Sequence, residues 1–297
     1  MNRRVIGIAV IVLWVAGLLF LYKRNGTHSS QQFLVQAGMR VSPDVYYYTV
    51  QRSGAQVGVA SSGVDTTKQR IVAVDFLRGA FPVGARIVKL EARSEARFTR
   101  GMRLRDFVVQ TIGDMTPFTL RGVMQEGEDK TLRVTTLDGR RKPVTNESVA
   151  EEPVFISSVA PILLMLKGEP KIGDSIVVSV FDPVSRAVNP VTLRIERDSL
   201  FLVPDSASLD STSGRWVKAH QTSVRGWRVG GNPSAPTTWV DISGRLIAAV
   251  EATGLTFSRT TFELSFANFR LDHSPAADSA LMRAITAAKL KPPEGKT

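Results

Sequence analysis

The chain has 297 residues, 43% of them hydrophobic, enough to bury one large or two small cores. It has no cysteine, which excludes thiolate nucleophiles, disulfides, CxxC redox centres and thiolate-bound metals, and it has only three histidines, His28, His220 and His273. Lys and Arg number 38 against 27 Asp and Glu, a formal charge of +11, but aromatic residues are only 7% and no zinc finger, RNA-binding signature or long basic helix accompanies the charge, so no nucleic-acid partner is expected.

The first expected element is a membrane anchor over residues 1–24. Its apolar run, Val5 to Tyr22, would extend roughly 27 Å as a helix at about 1.5 Å per residue, close to a hydrocarbon core of roughly 30 Å. Val5, Trp14, Leu18 and Leu21 face lipid in this reading, Tyr22 sits at the headgroups, and Arg3, Arg4, Lys23 and Arg24 flank the span. A cleaved signal peptide is the alternative, but the run is long and ends Leu-Tyr-Lys-Arg, without a small-x-small cleavage site. The short basic start and the large polar remainder place the anchor in a bacterial inner membrane, with the N-terminus cytoplasmic and the bulk of the chain periplasmic. Membrane lipid is then one partner, and basic surface near anionic lipid accounts for much of the charge.

Residues 25–43 read as a stalk, with a brief helix over "HSSQQFLVQAGMR" capped by Ser29 or Ser30. From Asp44 the pattern is β. Two extended halves flank Ser53-Gly54, a hairpin signal, and "RIVAVDFLRGA" and "ARIVKLEARSEARF" continue in the same style. Three or four strands then follow, separated by Gly-Asp, Gly-Glu-Asp and Asp-Gly turns, and the alternation in "FTLRGVM" and "TLRVTTL" fits sheets with one wet face. The pattern breaks once, at an apolar helix from Ser158 to Lys167 with Pro161 in its first turn; being apolar all round, it is expected to be buried or docked. Strands resume from Lys171 and include "TTWVDISGRLIAAV", with Ser243-Gly244 as its turn, and "TFELSFANF", where Phe262, Leu264 and Phe266 alternate with Glu263, Ser265 and Ala267. A helix after Ser274-Pro275 places Leu281 and Ile285 one turn apart. The expected fold class is mainly β, an extramembrane body of antiparallel sheets or sandwich-like form with a few short helices. Its units are 44–168, ending in the apolar helix, and 169–272, followed by a C-terminal helix and tail over 273–297.

No catalytic motif emerges. There is no GxSxG elbow, HExxH zinc site, GxxxxGK[ST] phosphate loop or GxGxxG dinucleotide loop, so no catalytic, metal or cofactor-binding residue is assigned and no cofactor is expected. His220 is expected to pair within a strand and His273 to lie near a helix cap. The Asp-rich stretch Pro204 to Gly214 lacks the EF-hand order of ligands and reads as a solvated turn. "DISG", from Asp241 to Gly244, is only loosely like the loop of aspartic peptidases, whose dyad needs a second such loop that Asp138-Gly139 does not supply. The better candidates for a peptide, glycan or protein surface are aromatic: Tyr46 and Tyr48 with Trp216, Trp227 and Trp239. The alternative for each is core or cross-strand packing.

Four stretches carry a resemblance: "YYYTVQRSGAQVG" (Tyr46 to Gly58), "KIGDSIVVSVFDPVSRAVNPVTLRI" (Lys171 to Ile195), "TTWVDISGRLIAAV" (Thr237 to Val250) and "GLTFSRTTFELSFANFR" (Gly254 to Arg270). Together they resemble the β-rich region preceding the catalytic domain of membrane-anchored bacterial transglutaminase-like proteins. In that family a papain-like domain with Cys, His and Asp follows; this chain ends soon after Arg270 and has no Cys, so no catalytic position carries over. The resemblance implies a non-catalytic, anchored accessory or scaffold subunit with integral-membrane and periplasmic protein partners, one form of which is a subunit of a bacterial photosynthetic reaction-centre/light-harvesting assembly. Two other classes stand beside it. A periplasmic binding module for peptide, glycan or lipid would have a sheet cavity lined by apolar strands. An unrecognised hydrolase would have a pocket with a base near an activated hydroxyl.

Overall fold

The computed structural model describes residues 33–125, 131–139, 142–149, 153–183, 185–230, 237–270 and 274–289. The expected anchor, with Val5, Trp14, Leu18, Leu21 and Tyr22, lies outside the described residues, as do His28 and His273. No helix among the described residues is long and apolar enough to cross a membrane.

The body is mainly β, with few and short helices. After a helix α1 (residues 33–40) come β1 (Asp44–Arg52), β2 (Ala55–Thr66), β3 (Arg70–Val83), β4 (Arg86–Thr99), β5 (Leu104–Gly113), β6 (Phe118–Met124), β7 (Thr131–Asp138), β8 (Val144–Val149) and β9 (Val154–Phe155). Helix α2 (Ala160–Leu166) precedes β10 (Ser175–Asp182), β11 (Ala187–Asp210), β12 (Arg215–Gly230), β13 (Thr237–Val240), β14 (Leu246–Val250) and β15 (Leu255–Thr260), and α3 (Pro275–Lys289) ends the order. Ser53 and Gly54, with φ of 50° and 81°, form the β1–β2 turn, because a two-residue hairpin of this twist needs both central residues left-handed.

Instead of separate sheets or a sandwich, the fifteen strands among the described residues join in one sheet of order β8-β7-β6-β5-β4-β3-β2-β1-β15-β14-β13-β12-β11-β10-β9. It is mixed rather than antiparallel: β9 pairs parallel with β10, because α2 carries the chain back between them and a parallel pair needs such a crossover. Two hydrogen-bonded seams, β1 with β15 and β9 with β10, cross the boundary expected at residues 168–169.

The sheet is rolled up. β5 and β10 stand ten positions apart in its order, about 48 Å in a flat sheet at roughly 4.8 Å per strand. Yet the rings of Phe107 on β5 and Phe181 on β10 lie 4.6 Å apart, and those of Phe98 on β4 and Phe155 on β9 lie 6.3 Å apart. One core therefore unites β2 to β7 with β9, β10 and α2, through fully buried Phe98, Phe107, Leu120, Leu132 and Phe155. α2 is buried as its composition requires, with Leu163 in this core and Leu164 and Met165 against Ile195 and Trp227. At another part of the sheet α3 lays Ile285 and Leu281 against Val50, Val57 and Phe81, and Lys89 reaches Asp278 at 3.0 Å. The Ser274 hydroxyl accepts the Ala277 N–H at 3.2 Å as the cap expected there.

One expected strand is not a strand. β15 stops at Thr260, and Glu263–Ala267 forms a single π-helical turn, with Asn268 N–H donating to the Glu263 carbonyl at 3.1 Å. Apolar residues at 262, 264 and 266 satisfy alternation, but 262 and 266 also satisfy a helical repeat. The helical reading wins because it stacks Phe262 on Phe266 at 5.6 Å and sets both against Tyr47. The oily face lies over β1 rather than in a strand of its own, and Phe262 stays 48% exposed.

Candidate ligand-binding cavity

Alternation decides what faces the inside of the roll. Tyr46, Ser62, Asp75 and Ser94 stand opposite one another on β1 to β4, and Tyr48, Ala60, Leu77 and Ala92 form the next row; residues directly opposite share a face. These rows bound a cavity of about 970 Å³, walled on the far side by Val229, Val240 and Phe257 and reached by Ser158 and Pro161 at the start of α2. Its volume lies in the upper part of the usual range for small-molecule pockets, about 300–1,000 Å³. Arg245 and Glu251, which flank the two ends of β14, both line it; six residue steps separate them, about 20 Å at roughly 3.3 Å each. The turn before Arg245 is pressed against α2: a Cβ on Gly244, whose φ is 76°, would fall 2.4 Å from the Ile162 Cα.

Several of the polar groups in this wall are engaged with one another or with the backbone. Asp75 accepts hydrogen bonds from the hydroxyls of Ser62 at 2.6 Å, Ser94 at 3.1 Å and Ser158 at 2.8 Å. A carboxylate is far too weak a base to ionise a serine, and no histidine among the described residues lines the cavity, so the cluster is a satisfied acceptor rather than a nucleophile and its base. Asp241 forms a buried ion pair with Arg259 at 2.8 Å; this holds the "DISG" turn rather than poising an acid. The Tyr48 hydroxyl donates to the Leu246 carbonyl at 3.2 Å. Burial pushes the Tyr48 phenol well up, and burial with a hydrogen bond to Asp44 pushes Tyr46 up to about 12, so both stay neutral donors.

Burial also pushes the Glu251 carboxyl above its usual range. In this case the folded state holds its proton to a higher pH than the unfolded chain, so stability falls as pH rises through the carboxylate range and is lowest above the folded pKa. Glu251→Gln is therefore expected to flatten that part of the profile. Melting temperatures of wild type and variant between about pH 4 and pH 7 check this; equal slopes would refute it.

The aromatic candidates do not form one surface. Tyr46 and Tyr48 lie on the inner face, with Tyr48 2% exposed. Trp227 is buried in the core beside Val229 and Val240. Trp239 packs on Phe201 at 5.0 Å with the Arg197 guanidinium over its ring. Trp216 is tied to the π-helical turn by two hydrogen bonds with Asn268, N–H to Oδ1 at 2.9 Å and Nδ2 to its carbonyl at 2.7 Å. Most of the stretch expected as an Asp-rich turn is strand, since β11 runs to Asp210, and only residues 211–214 turn. There Asp210 accepts from the Thr212 N–H and the Ser213 hydroxyl. Asp205 receives His220 Nδ1 at 2.8 Å and the Thr222 hydroxyl across the strand pair, and these bonds hold its carboxyl below the usual range. His220 is thus a sheet-pairing residue on an exposed hairpin.

Asp75 and Arg245, which no motif marks, are the charged residues of interest in the cavity wall. One sign of Asp75 is readable in the chain: it interrupts the inward series Ile71, Ala73, Leu77 where alternation calls for an apolar side chain.

Fold and site together define a rolled single-sheet β protein with a partly open, largely apolar cavity. No family model matches the chain, and no curated protein does. The likeness to solved structures is distant. A β-barrel-like protein of the domain of unknown function DUF1849 from Brucella abortus has 12% identity and a TM-score of 0.46 over 74% of this chain and 96% of that one. A DUF1089 family protein from Pseudomonas aeruginosa has 11% identity and a TM-score of 0.33 over 63% of this chain and 87% of that one.

Proposed function

We propose that the chain is a non-catalytic, membrane-tethered binding module that houses an elongated apolar molecule, of lipid-like character, inside the rolled sheet on the periplasmic side. The observation that carries this reading is the cavity itself, about 970 Å³ and walled by Tyr48, Leu77, Val229, Val240 and Phe257. Each methylene moved from water into such a wall contributes about 0.8 kcal/mol. A tail along β14 would supply affinity without directed contacts, and the polar groups at its ends would set orientation. Ala92 lines the same cavity without being fully buried, so a larger side chain there fills space the ligand would use.

The test is native extraction of the tagged full chain in mild detergent, size-exclusion chromatography and mass spectrometry of what it carries. Wild type is expected to retain a stoichiometric small apolar molecule and Ala92→Trp to retain at least about tenfold less, the equivalent of roughly 1.4 kcal/mol. A wild-type chain that carries nothing would sink the reading.

A second reading is favoured by the hairpin of β11 and β12. β10 pairs β11 only as far as Arg194, and β13 pairs β12 only over Trp227 to Val229. Among the described residues no strand pairs with either outer edge of the hairpin beyond, and it carries Leu200 and Leu202 at 71% and 69% exposure. Such an arm suits an accessory subunit of a membrane protein complex, the photosynthetic reaction-centre assembly among them. In the same extraction a reproducible stoichiometric protein assembly supports that role, and a lone monomer overturns it.

A further inference from the structure

The two arginines beside Asp241 are used very differently. Arg259 is engaged at all three nitrogens: Nη1 donates to Asp241 at 2.8 Å, Nε to the Leu246 carbonyl at 2.7 Å and Nη2 to the Arg245 carbonyl at 2.8 Å, while its guanidinium lies 4.1 Å from the centre of the Tyr46 ring. Asp241 has little left to offer a second cation. Its other oxygen already accepts the Ser243 N–H at 2.9 Å, the Ser243 hydroxyl at 2.6 Å and the Arg245 backbone N–H at 3.0 Å.

Arg245 has no carboxylate partner among the described residues. The residue is 8% exposed and lines the cavity. Among the described residues its guanidinium makes one hydrogen bond, Nη2 to the Ser42 carbonyl at a long 3.4 Å, and no ion pair. A guanidinium presents five N–H donors and keeps its proton in proteins. A buried charge held by one long hydrogen bond is costly, and an anion delivered to it gains a charge-assisted, often two-point, hydrogen bond. Of the other charged residues lining the cavity, Asp75 is already covered by three serine hydroxyls, Glu251 is itself an acid, and the Arg93 side chain is 61% exposed beside Glu95, where water competes for it.

We infer that Arg245 is the head-group site of the cavity and that the ligand is an anionic amphiphile, its carboxylate or phosphate on the Arg245 guanidinium and its tail running along β14 toward Glu251. This rests on the apolar-ligand reading above and adds the charge and the polarity of binding. The Arg245 guanidinium fixes the head, and the row of Tyr48, Leu77 and Phe257 receives the tail.

The experiment places the full chain in phosphatidylcholine nanodiscs and exposes it to photoactivatable palmitate, its methyl ester, photoactivatable phosphatidic acid and the matching phosphatidylcholine. Mass spectrometry then maps the labelled peptides. An acid should label cavity peptides at least about tenfold more than its uncharged or zwitterionic twin. Palmitate leading identifies a carboxylate head, and phosphatidic acid leading a phosphate head. Arg245→Gln should erase the preference and Arg245→Lys keep most of it. Equal labelling of the cavity by acid and twin overturns the Arg245 assignment while leaving an apolar-ligand cavity standing. Absence of cavity labelling by every probe overturns both. If Arg245→Gln does not fold, as circular dichroism would show, the wild-type ratio of acid to twin decides alone.

Discussion

Asp241→Asn is expected to lower the stability of the folded chain by about 3–5 kcal/mol, the usual cost of removing one partner of a buried ion pair. The Asp241 and Arg259 side chains are 10% and 8% exposed, so the guanidinium left behind cannot recover its water. Three further donors of the Ser243–Arg245 turn lean on the same carboxylate. The turn in turn lies against α2, so its loosening reaches the cavity wall. Urea unfolding followed by tryptophan fluorescence measures the loss. The double variant Asp241→Asn with Arg259→Met should recover part of it, because the orphaned charge is removed. A single variant within about 1 kcal/mol of wild type would mean that the pair does not hold the turn.

Phe107→Ala should cost a similar amount, about 3–5 kcal/mol, the range for a buried phenylalanine truncated to alanine. Phe107 is 1% exposed and meets Phe181 from a strand ten positions away in the sheet. Its loss therefore opens a void where the roll closes, and not merely within one hairpin. A double-mutant cycle with Phe181→Ala isolates that contact, with a coupling of about 0.5–1.5 kcal/mol for a ring pair of this kind. Additive losses would show that the two strands do not lean on each other there.

Much of the local structure was legible in the chain. Alternation marked the strands from Asp44 onward, Ser53-Gly54 marked a left-handed hairpin turn, the uniformly apolar Ile162 to Leu166 marked a buried helix, and Ser274-Pro275 marked the start of the last one. These features depend on neighbours a few residues apart, and a sequence displays such neighbours directly. The failures came where two local readings fit equally well. Phe262, Leu264 and Phe266 match a strand and, in part, a helix, and the choice fell to Tyr47, more than two hundred residues earlier. Likewise Pro204 to Asp210 carries turn-forming residues yet continues β11, because β12 supplies a hydrogen-bonding partner along its length.

The site belongs to the second kind. Arg245 is unremarkable in sequence. Only the pairing of Asp241 with Arg259, fourteen residues beyond Arg245, leaves its guanidinium without a carboxylate among the described residues, and only the rolling of the sheet sets it in an apolar cavity. Tyr46 and Trp239 look alike as exposed aromatic candidates, but strand register sends the first to the inner face and sets the second on Phe201. By itself the sequence determined that the chain makes strands, where most of them turn, and that it lacks thiol chemistry. The tertiary structure decided that the strands form one rolled sheet and that a cavity lies within it, because β-pairing and core packing join residues far apart in the chain and no short-range pattern encodes which ones meet.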